Sequence, residues 1–224
     1  MSTLFIPQVE APTSTSKEYP KLPAGTYLAR IIQIIDLGTQ KNTFDETKAD
    51  ERKLRICFET VEELYEFSKE KGEQPYMLDK EVTYRVSDVK VDPTKISALT
   101  TILEAVNGNR NDKNIFNLIN KIVQVSVVEN EKGYNKITGF SGLPKSLKNI
   151  EYPVFGTAQI FFIDNYEQTK SAFDSQPQFI KDKIMSSPEF LAIGDKKIAE
   201  LIEVNEPPAI DEQTIDQAVA TMAF

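Results

Sequence analysis

The stretch between Pro23 and Gln40 is rich in apolar residues and predicts one long strand. Neighbouring side chains of a strand point to opposite faces, and this run carries apolar groups on both faces. One face has Tyr27, Ala29, Ile31 and Ile35, and the other has Leu28, Arg30, Ile32 and Ile34. A sheet with one face in water would alternate cleanly between apolar and polar residues. The run therefore predicts a strand that curls through the wall of a small barrel.

Periodicity and turn residues predict the elements that follow this strand. In order they are strands Lys53–Thr60 and Lys80–Val89, a helix from Asp92 to Gly108, a short helix Ile115–Asn120, and strands Lys121–Glu129 and Tyr134–Ser141. The helix start rests on Asp92-Pro93, a capping residue followed by a proline. The charged stretch Glu62–Gln74 is predicted to lengthen a turn and to contain some helix. Three strands, a helix and two strands are the order of the OB-fold, a five-stranded Greek-key barrel.

The remaining segments differ in composition from this predicted domain, which covers residues 20–147. Residues 1–19 mix Ser, Thr and Pro and predict a flexible N-terminal arm. Residues 148–198 are rich in Phe and Ile and predict a strand with short helices, the last starting at Ser187, that pack on the barrel or on a neighbouring subunit. Residues 199–224 form an acidic tail. The predicted fold is mainly β: a five-stranded OB-fold barrel with a capping helix, a small α/β C-terminal extension and flexible termini.

The formal net charge of −8 argues at first against a nucleic-acid partner, but the charge is unevenly placed. Residues 20–147 carry 19 Lys and Arg against 19 Asp and Glu, whereas residues 148–224 carry 6 against 13. The acidity therefore belongs to the C-terminal part of the chain. The predicted barrel is neutral enough to hold a local basic groove.

Composition excludes several kinds of catalytic chemistry. The chain has no histidine, so His-based acid–base catalysis, Ser–His–Asp triads and His-ligated metal sites are ruled out. Its single cysteine, Cys57, can form neither an intrachain disulfide nor a Cys-cluster zinc site, and its apolar neighbours predict a buried structural thiol. No Gly-rich phosphate loop occurs. We therefore expect no enzymatic activity, no metal and no cofactor.

A protein that binds unpaired nucleic acid needs cations along the phosphate backbone and flat rings on which bases stack. The candidate cations come from the predicted strands and the last hairpin: Arg30, Lys53, Arg55, Arg85, Lys132 and Lys136. The candidate rings are Phe44, Tyr84 and Tyr134. Tyr84 shares its face with Val82 and Val86, so a place in the core is an equal alternative. Each cation alone could be an ordinary solvated strand residue, whereas the set favours a groove.

Several short motifs occur in order over roughly residues 20–194. The first group is Pro23-Ala24-Gly25-x-Tyr27-x-Ala29-Arg30, Ile35-Asp36-Leu37-Gly38-x-Gln40 and Lys53-x-Arg55-Ile56-x-Phe58-Glu59. The second group is Phe161-Phe162-Ile163-Asp164-Asn165, Phe173-Asp174, Ile180-Lys181-Asp182-Lys183-Ile184 and Ser187-Pro188-Glu189-Phe190. With these motifs the chain resembles the single-stranded DNA-binding proteins in replication modules of tailed bacteriophages. The resemblance implies an OB-fold that coats single strands during phage DNA replication or recombination.

We therefore expect single-stranded DNA as the partner, in the cytoplasm of a bacterial host and away from membranes, since no apolar run is long enough to span one. The candidate residues for contacting replication proteins lie in the tail: Asp211, Glu212, Asp216 and Phe224. A solubilising tail is the equal alternative, and a homo-oligomer is compatible with the sequence. The alternative function is a protein-interaction module on the same barrel without nucleic-acid binding. A metal-dependent nuclease has less support.

Overall fold

The structure, a computed structural model, describes residues 20–42, 47–85, 96–109 and 114–194. Its strands are β1 (Gly25–Gln40), β2 (Glu51–Ser68), β3 (Gly72–Thr83), β4 (Ile122–Glu129), β5 (Asn135–Ser141) and β6 (Gln159–Phe161). Its helices are α1 (Ala98–Asn107), α2 (Tyr166–Asp174) and α3 (Gln178–Met185), followed by a last helical stretch at residues 188–194. Short 3-10 turns lie at Ile115–Leu118, Lys145–Leu147 and Ile163–Asn165. The fold is mainly β, as predicted.

β1 is the central strand of the sheet, whose strand order is β3-β2-β1-β4-β5. Its first part, Gly25–Arg30, pairs antiparallel with β4, and Gln33–Ile35 pairs in parallel with β6. All of residues 28–38 except Gln33 are buried, which confirms that β1 is covered on both faces. β3 and β5 are the outer strands of this order, and no backbone pairing joins them within the described residues.

The chain forms two compact units, each built from separate segments. Unit 1 consists of the described parts of Met1–Ile32, Cys57–Asp79 and Thr101–Thr157. Unit 2 consists of the described parts of Gln33–Ile56, Lys80–Thr100 and Ala158–Phe224. β1, β2 and β3 are each divided between the two units, with one part of the strand in unit 1 and the other in unit 2. The domain boundary at residue 147 stays a prediction.

In unit 1 the sheet is strongly curved. Alternate residues of β4 are buried in its core: Val123, Val125 and Val127. Phe58 of β2 contacts Phe140 of β5, with ring centroids 5.6 Å apart. The hydroxyl of Tyr76 on β3 donates to Oδ1 of Asn135 on β5 at 2.7 Å. Strands four places apart in a flat sheet would be separated by about 19 Å, so this hydrogen bond requires the sheet to curl until its outer strands approach.

In unit 2 the second part of β1 forms a core with the segment that follows residue 157. The buried cluster consists of Ile35, Leu37, Phe161, Ile163, Ala172, Phe173, Ile180 and Ile184. Burying one large apolar side chain contributes about 1.5–3 kcal/mol to the free energy of folding. This cluster therefore stabilises the short elements β6, α2 and α3. The prediction of a strand followed by short helices is confirmed. The last helical stretch begins directly after Ser187, also as predicted.

Two of the sequence motifs meet in unit 2. Gly38 has a φ of +69°, and a Cβ at this position would lie 2.3 Å from Oγ of Ser187. The Glu189 carboxylate accepts the Thr39 N–H at 2.8 Å and also the Thr39 hydroxyl. Burial alone would raise the pKa of Glu189, but hydrogen bonds from Thr39 and from its own backbone, together with the charge of Arg52, hold that pKa below its usual value. These motif residues therefore hold the end of β1 against the last helical stretch.

The largest difference from the predicted elements is the β2–β3 hairpin. The sequence predicted a strand at Lys53–Thr60 and a charged turn with helix at Glu62–Gln74, whereas β2 and β3 both extend through this region to a turn at Gly72. The prediction was wrong because it took the glutamates of this stretch as evidence for an exposed turn or helix. Tyr65 and Phe67, two residues apart, share one face of a strand. Gly72 has a φ of +64°, which allows the turn.

The ends of α1 agree in part with the predicted helix. Asp92 lies outside the described residues, and α1 is capped by Ser97, whose Oγ accepts the Thr100 N–H at 3.2 Å. Gly108 ends the helix as predicted, with a φ of +66° and its N–H donating to the Glu104 carbonyl at 2.8 Å. β3 ends at Thr83, earlier than the predicted third strand.

Candidate nucleic-acid interface

The structure distributes the predicted binding residues over both units. Lys53, Arg55, Tyr84 and Arg85 belong to unit 2, and Arg30, Lys132, Tyr134 and Lys136 belong to unit 1. Phe44 and the tail candidates Asp211, Glu212, Asp216 and Phe224 lie outside the described residues. Each unit therefore has its own set of candidate contacts.

Three of the predicted cations lie on one face of unit 2. Lys53 and Arg55 share a face of β2 with Glu51, because side chains two residues apart point the same way. The carboxylate of Glu51 accepts the Thr83 hydroxyl at 2.9 Å and lies 4.0 Å from the Arg85 guanidinium. Arg85 is therefore on that same side of the hairpin, and most of its side chain is exposed. We call Lys53, Arg55 and Arg85 the cationic face.

Tyr84 packs against Arg52, the residue of β2 that directly precedes Lys53. The Arg52 guanidinium lies 5.5 Å from the Tyr84 ring centroid, and the Phe162 ring is 6.0 Å from the same ring. Buried Asp36 binds Arg52 through two hydrogen bonds, and Asp164 accepts a third at 2.9 Å. Burial raises the pKa of Tyr84, while Arg52 acts against this rise. Tyr84 therefore has packing partners within unit 2 but is 37% exposed, so the structure does not place it in the core.

Arg30 is a structural residue in unit 1 and is only 7% exposed. Its guanidinium donates to the backbone carbonyls of Tyr152 and Pro153 at 3.0 and 2.9 Å. Its Nε lies 3.4 Å from the carboxylate of Glu59, which is fully buried. A buried guanidinium needs such partners to offset its lost hydration. This burial corrects the expectation that Arg30 lines a groove.

The β4–β5 hairpin of unit 1 presents the candidates that remain exposed. Lys132, Tyr134 and Lys136 are all exposed, and Tyr134 is 68% accessible. Asn130 Oδ1 accepts the backbone N–H groups of Lys132 and Tyr134 at 3.0 and 2.9 Å, which fixes the turn between the strands. Asn135 points to the opposite face of β5 from Lys136 and reaches Tyr76. We call Lys132, Tyr134 and Lys136 the hairpin patch.

Sequence reasoning missed a group of aromatic side chains on the β2–β3 hairpin of unit 1. Tyr65 and Phe67 of β2 and Tyr76 of β3 contact one another with ring centroids 5.6–6.3 Å apart. All three are partly exposed. We call them the hairpin rings. The signal that could have found them is the spacing Tyr65-x-Phe67 before a turn and Tyr76 after it.

A cavity of about 470 Å³ opens beside the hairpin rings in unit 1. Its lining includes Phe67, Lys71, Gln74, Tyr76, Met77 and Phe155. Phe155 and Met77 are 41% and 49% exposed, so apolar surface at the mouth of the cavity faces water. Small-molecule sites in proteins typically measure about 300–1,000 Å³. The cavity is therefore large enough for a nucleoside-sized group.

Other kinds of site have no counterpart in the part of the chain that the structure describes. Within residues 20–42, 47–85, 96–109 and 114–194, no group of three or more Cys, Asp and Glu residues is placed to hold a metal ion. No helix there is long and apolar enough to cross a membrane. No protein-family model matches the chain, and no curated protein matches it.

Proposed function

We propose that this chain binds single-stranded DNA with little sequence preference, through an OB-fold whose β2–β3 hairpin supplies the rings on which bases stack. The order of elements supports the OB-fold, since β1 lies between β2 and β4 and a helix separates β3 from β4. The hydrogen bond between Tyr76 and Asn135 supports a sheet that curls towards closure. OB-folds bind oligonucleotides on the face of their second and third strands and on neighbouring loops.

The hairpin rings carry this proposal. Partly exposed rings on neighbouring strands offer π-faces to successive bases without reading their edges, because every base has a π-face. An exposed Tyr134 on the β4–β5 hairpin adds a further ring in unit 1. Lys132 and Lys136 beside it provide positive charge for phosphates within unit 1, and the cationic face is a separate set of cations in unit 2.

Fluorescence anisotropy with a labelled oligo-dT, with duplex DNA of equal length as the comparison, tests the proposal. We expect saturable binding of oligo-dT at low salt and weaker binding of the duplex. Phe67→Leu keeps apolar bulk and removes a π-face, so it should lower affinity by about 1–3 kcal/mol, the value of one base stacked on a ring. Phe179→Leu is the control, since Phe179 is an exposed ring in unit 2 outside the proposed site. Absence of oligo-dT binding by the parent at low salt would refute the proposal.

A protein-interaction module is the second candidate, and exposed apolar side chains in unit 2 favour it. Phe179 and Leu191 are 62% and 58% exposed on the helices that follow β6. Exposed apolar surface is typical of protein contacts. Stoichiometric co-purification of a protein partner, lost with Phe179→Ser, together with indifference to oligo-dT, would favour this function.

A further inference from the structure

The cavity of unit 1 has rings on two separate segments. Phe67 and Tyr76 contribute from the β2–β3 hairpin and contact each other at 5.9 Å. Phe155 contributes from the chain that follows residue 147. Among the described residues, the Phe155 ring makes no contact with another ring. Phe155 and two of the hairpin rings therefore line the same cavity without Phe155 contacting either ring.

A buried ion pair holds Phe155 in this position. Glu59 on β2 accepts the backbone N–H of Phe155 at 3.3 Å and that of Gly156 at 2.7 Å. Arg30 on β1 pairs with Glu59 and binds the carbonyls of Tyr152 and Pro153. A Cβ on Gly156 would lie 2.9 Å from the Glu59 carboxylate, so this close approach requires glycine. The wall bearing Phe155 is thus anchored to two strands of the sheet.

The polar groups of the lining suit one particular ligand. Lys71 is the cation of the lining, and a lysine at a cavity mouth binds a phosphate as a point charge. Gln74 donates from its amide nitrogen to the Lys71 carbonyl at 3.0 Å. This hydrogen bond orients the Gln74 side chain at the turn that carries Lys71. The carboxylate of Glu59 is already matched by Arg30 and two backbone N–H groups, so it presents no unpaired charge to an anion.

We infer that this cavity takes one nucleobase unstacked from the bound strand, between Phe155 and the hairpin rings, with its phosphate at Lys71. The inference rests on the proposed function and adds a discrete pocket to an otherwise open stacking surface. The planar ring of a base fits a cavity that has aromatic side chains on two separate segments. Its phosphate fits Lys71, the cation of the cavity lining. Arg30 and Glu59 act as positioning residues for Phe155.

Titration of the full chain with dTMP and with thymidine, followed by NMR chemical shifts, tests this pocket. We expect saturable dTMP binding that Phe155→Ala weakens about tenfold, as the loss of one base–ring contact implies. Phe179→Ala, an equivalent change at an exposed ring in unit 2, should leave dTMP binding unchanged. Lys71→Gln should weaken dTMP binding and leave thymidine binding unchanged, because only dTMP carries the phosphate.

The outcomes separate the pocket from the proposed function. Binding of oligo-dT without saturable dTMP binding would overturn the pocket and leave single-strand binding intact. If dTMP binds saturably and neither Phe155→Ala nor Lys71→Gln changes its affinity, the ligand binds elsewhere and the proposed pocket is also overturned. If neither oligo-dT nor dTMP binds, both proposals fail. Near-ultraviolet circular dichroism of each variant checks that a lost signal is not lost folding.

Discussion

At the scale of single residues, the buried carboxylate of Glu59 holds one wall of the cavity by accepting the backbone N–H groups of Phe155 and Gly156. Glu59→Gln removes the charge that matches buried Arg30 and leaves one acceptor oxygen for two backbone N–H donors. We expect a loss of about 3 kcal/mol in the free energy of unfolding, as when one partner of a buried pair is removed. Urea unfolding measures it. Glu62→Gln, at an exposed neighbour, should stay within about 0.5 kcal/mol of the parent, and an equal loss there would contradict this account.

Glu189 gives a prediction on pH at the same scale. Burial acts to raise its pKa, but hydrogen bonds from Thr39 and from its own backbone, together with the charge of Arg52, lower that pKa in the folded protein. A carboxylate with a lowered folded pKa stabilises the protein above its unfolded pKa, and this stability is lost as pH falls through the folded value. The parent should therefore be more stable than Glu189→Gln at pH 7, and the difference should shrink in acid. Unfolding midpoints measured from pH 7 down to pH 3 test this, and a constant difference would contradict it.

At the scale of elements, the contact between β1 and the last helical stretch depends on a glycine. Gly38→Ala would place a methyl group 2.3 Å from Oγ of buried Ser187 and would also impose a left-handed backbone conformation on alanine. Overpacking costs about 1–3 kcal/mol and the conformation about 1–2 kcal/mol. Gly72→Ala is the control, because its φ of +64° is similar and no atom lies within 4 Å of the added methyl. Chemical unfolding should show a larger loss for Gly38→Ala, and equal losses would mean that the steric contact is unimportant.

The sequence predicted elements whose pattern is local and missed those that depend on a partner strand. β1 was predictable because apolar residues fill both of its faces, and the β4–β5 hairpin because a polar turn separates two alternating runs. The β2–β3 hairpin was missed because its glutamates resemble an exposed helix or turn. Pairing of the two strands, which brings Tyr65 and Phe67 beside Tyr76, is a non-local event.

The candidate site could be predicted only in part for the same reason. Residue type and position identified the exposed Tyr134 and its flanking lysines. They could not reveal that Arg30 lies inside, because its partners Glu59, Tyr152 and Pro153 are distant in sequence. The position of Phe155 depends on a distant contact in the same way, because its backbone N–H donates to Glu59.

At the scale of the whole molecule, a chain with a net charge of −8 can attract DNA only through local groups of cations, so the salt dependence of binding should report where they lie. Binding to a single strand weakens with salt with a slope of about −0.7 per phosphate contacted. Removing the two lysines of the hairpin patch, with Lys132→Gln and Lys136→Gln together, should make the slope of log K against log salt shallower by about 1.4.

A second pair of exposed lysines in unit 1 provides the control for this measurement. Lys145→Gln with Lys148→Gln changes the net charge by the same amount outside the hairpin patch. If the lysines of the patch contact phosphates, the slope should change for the first pair and stay constant for the second, although both variants have the same net charge. Equal changes would mean that the total charge governs binding, and the hairpin patch would then have no direct part in it.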